Sequence, residues 1–134
     1  MRTRNFESPL DLSGYDGIRL KIRGDGNRFK LILYDEDDWW GSIAFHAAFD
    51  TVEGAWLTVD VPFASFRAVR RGEAVPEGSP DLRTLRTTSV RSMQLMLSKF
   101  TYGMGDLNPS FASGPFYLEV WKVSAYRGDA GATR

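Results

Sequence analysis

Ile18-Arg19-Leu20-Lys21-Ile22-Arg23 is the stretch that decides the fold, because three aliphatic side chains alternate with three cations and leave one face apolar and the other charged. That is the two-residue period of a half-buried β-strand, not the 3.6-residue period of a helix. Four turn-tolerant residues follow, Gly24-Asp25-Gly26-Asn27, and then Phe29, Leu31 and Leu33 resume the alternation against Lys30, Ile32 and Tyr34. The two runs read as a hairpin.

Further along the chain the same period recurs. Ile43, Phe45, Ala47 and Phe49 mark a third strand after the acidic turn Asp35-Glu36-Asp37-Asp38, and Trp56-Leu57-Thr58-Val59-Asp60-Val61 marks a fourth, ended by Pro62. Residues 63–90 lose the alternation but hold Phe63, Phe66, Leu82 and Leu85, which suits a long, partly packed crossover with one helical turn expected over 81–85. Met93, Leu95 and Leu97 make a fifth strand, and Phe116, Leu118, Val120 and Val123 a sixth. Six or seven strands, regular turn signals and no amphipathic helix predict an all-β protein, an antiparallel β-sandwich with the jelly roll as one variant. Trp56, Phe63, Phe66, Leu95 and Phe116 are the expected core anchors. Residues 1–127 are expected to form a single domain and 128–134 a disordered tail.

With 134 residues, 43% of them hydrophobic and 25% charged, the chain has the size and composition of one globular core. No apolar run approaches the roughly 20 residues of a membrane-crossing helix, so no direct membrane insertion is expected. The lack of cysteine excludes disulfides, thiolate nucleophiles and Cys-based metal sites, and a single histidine, His46, excludes multi-histidine centres. Net charge is zero, yet residues 35–60 hold 7 acidic side chains and no Lys or Arg, while residues 61–91 hold 6 arginines against 3 acids. The surface is therefore expected to be bipolar.

Few residue groups carry chemistry. Gly24-Asp25-Gly26-Asn27-Arg28-Phe29 lacks both the third glycine and the following helix of a dinucleotide fingerprint, so it reads as a turn. The run from Asp35 to Asp38 lacks the calcium-loop spacing, and a solvated acidic turn with no metal is expected. Ser42, His46 and Asp50 share a strand face but are spaced about 13 Å per four residues, too far for a nucleophile–base–acid relay, and no Gly-x-Ser-x-Gly elbow exists. No catalytic residue, no cofactor and no enzymatic activity are expected. Two groups remain. Tyr34, Asp37, Trp39 and Trp40 combine aromatic faces with carboxylates, the pairing that a sugar ring and its hydroxyls need. Arg67, Arg70, Arg71, Arg83 and Arg86 concentrate in the crossover, where guanidinium forks could grip a partner's carboxylates or phosphates. Glu73, Glu77 and Asp81 are interspersed there, which weakens the segment as a nucleic-acid patch.

Taken in order, Asp11-Leu12-Ser13-Gly14-Tyr15-Asp16-Gly17, Gly24-Asp25-Gly26 with Phe29-Lys30, Phe49-Asp50-Thr51 with Trp56, and Val61-Pro62-Phe63 with Phe66 resemble the complex I intermediate-associated protein 30 domain family. Ser92-Met93-Gln94-Leu95-Met96-Leu97-Ser98-Lys99-Phe100, Leu107-Asn108-Pro109-Ser110-Phe111 and Gly114-Pro115-Phe116-Tyr117-Leu118 look most like its chloroplast and cyanobacterial branch. The resemblance implies a galactose-binding-like jelly roll and a non-catalytic interaction module of an assembly or biogenesis factor. Its expected partners are protein subunits or cofactors of a respiratory or photosynthetic membrane complex, with RNA met through a ribonucleoprotein. A chloroplast or thylakoid-associated cyanobacterial location is implied, with the mitochondrion as the alternative. Members carry a further glycine-rich stretch before the part matched here. The resemblance thus implies a chain cut from, or shorter than, a longer protein that can include a dehydrogenase-like domain.

Overall fold

Ile18, Leu20 and Ile22 are almost wholly withdrawn from solvent, and the strand that carries them, β1 (Gly17–Gly24), is the centre of a sheet rather than one arm of a hairpin. The structure, a computed structural model, describes residues 8–36, 42–71, 73–80, 82–97, 108 and 116–128. Within these residues β1 is followed by β2 (Arg28–Tyr34), β3 (Ile43–Asp50), β4 (Trp56–Pro62), a 3-10 turn (Phe63–Ser65), β5 (Arg67–Arg70), β6 (Glu73–Ala74), β7 (Ser92–Leu97) and β8 (Leu118–Tyr126). They form two antiparallel sheets, ordered β4-β1-β8 and β6-β5-β3-β2-β7, packed face to face. The all-β sandwich is the expected class, and the strand order is compatible with a jelly roll.

The hairpin expected over residues 18–34 is not formed, because β1 and β2 lie in opposite sheets. Both strands point every second side chain at the same core, one from each side, so their periodicity is the same whether they pair or face each other. Residues 24–27 are the passage between sheets. Gly26 takes φ = 91°, a left-handed conformation that disfavours side chains, and its N–H donates to Thr51 Oγ1 at 3.0 Å. That hydroxyl in turn donates to the Asn27 carbonyl at 2.7 Å, which ties the passage to the chain just after β3.

Between the sheets, Ile18, Leu20, Ile22 and Val61 meet Phe29, Leu31, Leu33, Ala47, Phe49 and Leu95. Leu95 is buried as expected, and Phe63 and Phe66 are half-buried against this core. Trp56 and Phe116 are not core residues: they are 45% and 56% exposed. Trp56 pairs with Arg23 on the outward register of β4, while Leu57, Val59 and Val61 take the inward one. Phe116 precedes β8 and meets the core at its rim, with its ring 6.0 Å from that of Phe29. The helical turn expected in the crossover is also missing, since residues 82–85 are irregular and Asp81 lies outside the described residues. Gly128 ends the described chain with its N–H on Asp16, and residues 129–134 lie outside it.

At its middle the larger sheet is buried on both faces. Lys30 and Ile32 occupy the outward register of β2, opposite the core, yet Lys30 is only 7% exposed.

Candidate functional site

Asp35, directly after β2, organises the crossover. Its carboxylate is fully buried and accepts both Arg83 nitrogens, Nη1 at 2.6 Å and Nη2 at 2.8 Å, and the Arg86 backbone N–H at 2.9 Å. Glu36 adds a longer contact to Arg83 at 3.7 Å and accepts the Ile43 N–H at 2.9 Å, clamping the start of β3. The Arg83 guanidinium also lies 5.1 Å from the Phe45 ring centre. Burial pushes the Asp35 carboxyl up, but the Arg83 fork and the Arg86 N–H outweigh it and hold the group below the usual carboxylate range. The acidic turn is therefore not simply solvated: Asp35 is a buried anchor, and Asp37 and Asp38 lie outside the described residues.

Pinned in this way, the crossover closes one side of a groove of about 780 Å³ whose other walls are the 3-10 turn and the β5-β6 pair. Phe63, Phe66, Leu82 and Leu85 supply apolar lining, and Arg67, Arg83 and Glu77 charge. Of the five crossover arginines singled out by the sequence, the structure brings only Arg67 and Arg83 to this groove. Arg70 pairs in register with Ile43 and Glu73, Arg71 makes the tight β5-β6 connection at φ = 54°, and Arg86 is exposed beyond the Asp35 clamp.

Of the other expected group, Tyr34 is half-buried and donates its hydroxyl to Gln94 Oε1 at 2.9 Å, across the β2-β7 pair. Asp37, Trp39 and Trp40 lie outside the described residues. Two outward strand positions away from Tyr34, the Lys30 ammonium donates to His46 Nδ1 at 3.2 Å. Burial, with the Lys30 charge as a second cause, lowers the His46 pKa to about 3. His46 is thus a neutral imidazole with its proton on Nε2 at physiological pH, and too weak a base for general-base work there. A depressed pKa means that the unfolded chain binds the proton first, so this pair stabilises fully above the unfolded value near 6.5 and progressively less as pH falls toward 3. Urea titrations are expected to show stability falling through that window with a slope approaching about 1.4 kcal/mol per pH unit. His46→Gln should flatten that limb, and an unchanged limb would contradict the assignment.

The sequence reading missed the outward face of the smaller sheet. Trp56 and Trp121 stand there 45% and 68% exposed, Arg23 lies 5.1 Å from the Trp56 ring centre, and Lys21 Nζ lies 4.8 Å from that of Trp121. One signal was present. The step from Val120 to Val123 breaks the two-residue period, and the structure resolves it as a bulge in which Ile22 pairs with Val120 and Lys21 with Lys122, leaving Trp121 as the extra residue.

A family model matches residues 1–120, nearly the whole chain, and is described as complex I intermediate-associated protein 30. The chain belongs to the complex I intermediate-associated protein 30 family. No curated protein matches the sequence. The family is linked to complex I assembly, and in this intermediate-associated protein 30 domain the described side chains form structural clamps and a groove at the crossover rather than an acid–base relay.

Proposed function

We propose that this domain is a non-catalytic interaction module of an assembly or biogenesis factor for a respiratory or photosynthetic membrane complex. The family match over residues 1–120 carries the reading. The crossover groove is the contact surface, with Phe63, Phe66, Leu82 and Leu85 as apolar seats, Arg67 in its wall, and Arg70 and Arg71 at the end of β5 and in the connection after it as further charged guides for a protein subunit or assembly cofactor. The Ser92 to Leu118 motifs favour the plastid and cyanobacterial setting, with RNA present through a ribonucleoprotein, a dehydrogenase-like domain alongside, and the mitochondrion as the alternative location. The carbohydrate-binding alternative at Tyr34, Asp37, Trp39 and Trp40 rests on their sequence clustering, and a glycan panel read by fluorescence tests it.

Affinity capture from organelle extract, with and without ribonuclease, tests the main reading. Ribonuclease-resistant recovery of assembly factors or complex subunits is expected. Arg70→Glu together with Arg71→Glu should reduce that recovery several-fold, with melting curves confirming that the variant is folded. Recovery that is unaffected by the charge reversal removes the arginines from the interface.

A further inference from the structure

The exposed tryptophan face lies on the other sheet from the groove and has its own electrostatics. Lys21 on β1 and Lys122 on β8 are register partners, so two cationic residues occupy neighbouring positions on the same face. Among the described residues no carboxylate lies within ion-pair distance of either, because Asp60 is taken by Arg19 at 2.7 Å and Glu119 by Arg23 at 2.5 Å. Like charges placed opposite each other in a sheet are unfavourable, and a bound anion is what relieves them. Beside them, Trp56 on β4 and Trp121 on β8 flank the central strand, and with Lys21 they border a shallow cleft of about 320 Å³.

The lining of that cleft selects the ligand. Among the described residues its lining is Lys21, Trp56 and Trp121, which offer ring faces and a cation but no carboxylate, amide or hydroxyl. A neutral sugar would leave its hydroxyls without partners. A nucleobase needs none, since it stacks through its face on any exposed aromatic, and its phosphate is a match for a mobile ammonium. We propose that the Trp56–Lys21–Trp121 cleft binds a nucleotide, with the base stacked on the indoles and the phosphate held by Lys21 and Lys122. The nucleotide is either free or one unit of a single strand; the recognised chemistry is the same.

The test uses the whole chain and labelled ligands read by anisotropy at low salt: adenosine monophosphate, adenosine triphosphate, an oligoadenylate of about ten nucleotides, and polyphosphate as a base-free polyanion. Saturable binding of the mononucleotides assigns the site to free nucleotide, and binding of the oligomer alone assigns it to a strand. In either case Trp121→Ala and Trp56→Ala should each weaken binding about tenfold, while Trp121→Phe retains most of it. For a strand, Lys21→Gln should lower the salt slope by about 0.7. All of these side chains are exposed, and melting curves confirm that each variant folds. Polyphosphate binding as tight as the base-bearing ligands, tryptophan variants with unchanged affinity, or no binding by any ligand would each overturn the proposal.

Discussion

Replacing Arg83 by alanine is expected to destabilise the protein by about 3 kcal/mol and to lower the melting temperature by roughly 10 °C. The Asp35 carboxylate has no solvent exposure, and the substitution strips it of both guanidinium bonds while leaving the charge in place. Removing one partner of a buried pair is worse than removing both, so Asp35→Leu with Arg83→Met should recover most of the loss. The same pair predicts an acid limb. Asp35 titrates in the fold below its unfolded value, so its contribution is complete above about pH 4 and is lost as pH falls through the folded value. The double variant should lack this limb, which separates it from the His46 limb at higher pH. A loss under about 0.5 kcal/mol for Arg83→Ala would show that the clamp does not carry the crossover. This result also bears on function, because an arginine committed to a buried carboxylate is a poor choice for probing partner contacts.

Phe29→Ala is expected to cost about 4 kcal/mol, enough to unfold a marginally stable domain at physiological temperature. Its ring is almost inaccessible, stacked 6.2 Å from Phe49 and tilted against Phe116 at 6.0 Å, and truncation leaves a cavity between the sheets that β-strands cannot close by small shifts. Trp56→Ala removes a larger side chain but one standing outside the sandwich, and should change stability by no more than about 0.5 kcal/mol. Denaturant unfolding of the two variants compares inner and outer register directly. Equal losses would mean that Trp56 packs where the structure does not place it.

The fold class and the strands were legible because alternation reports which face of a strand is buried. Alternation does not report which strand lies beside it. Hence Ile18 to Ile22 and Phe29 to Leu33 were both recognised as strands and wrongly joined as a hairpin. Aromatic size misled in the same way: Trp56 looked like an anchor although Leu57, Val59 and Val61 already claimed the inward register of β4. The candidate site was less legible, since its geometry depends on contacts between distant residues. Asp35 and Arg83 meet across 48 positions of chain, and no local pattern marks either of them as the buried member of an acidic or basic run. Trp121 was legible only through the broken step between Val120 and Val123.

The position of β1 also sets the order in which the chain can fold. It is flanked by β4 and β8, and its Arg23 meets Glu119, 96 residues later. On the ribosome, the smaller sheet therefore stays incomplete until β8 has emerged, and Ile18, Leu20 and Ile22 wait with their second neighbour strand still unmade. Such distant pairing places folding in the millisecond-to-second range typical of β-sandwiches, with an unpaired strand edge open to aggregation meanwhile. A nascent chain stalled before β8 should be recognised by chaperones, and release of β8 is the step that ends that exposure.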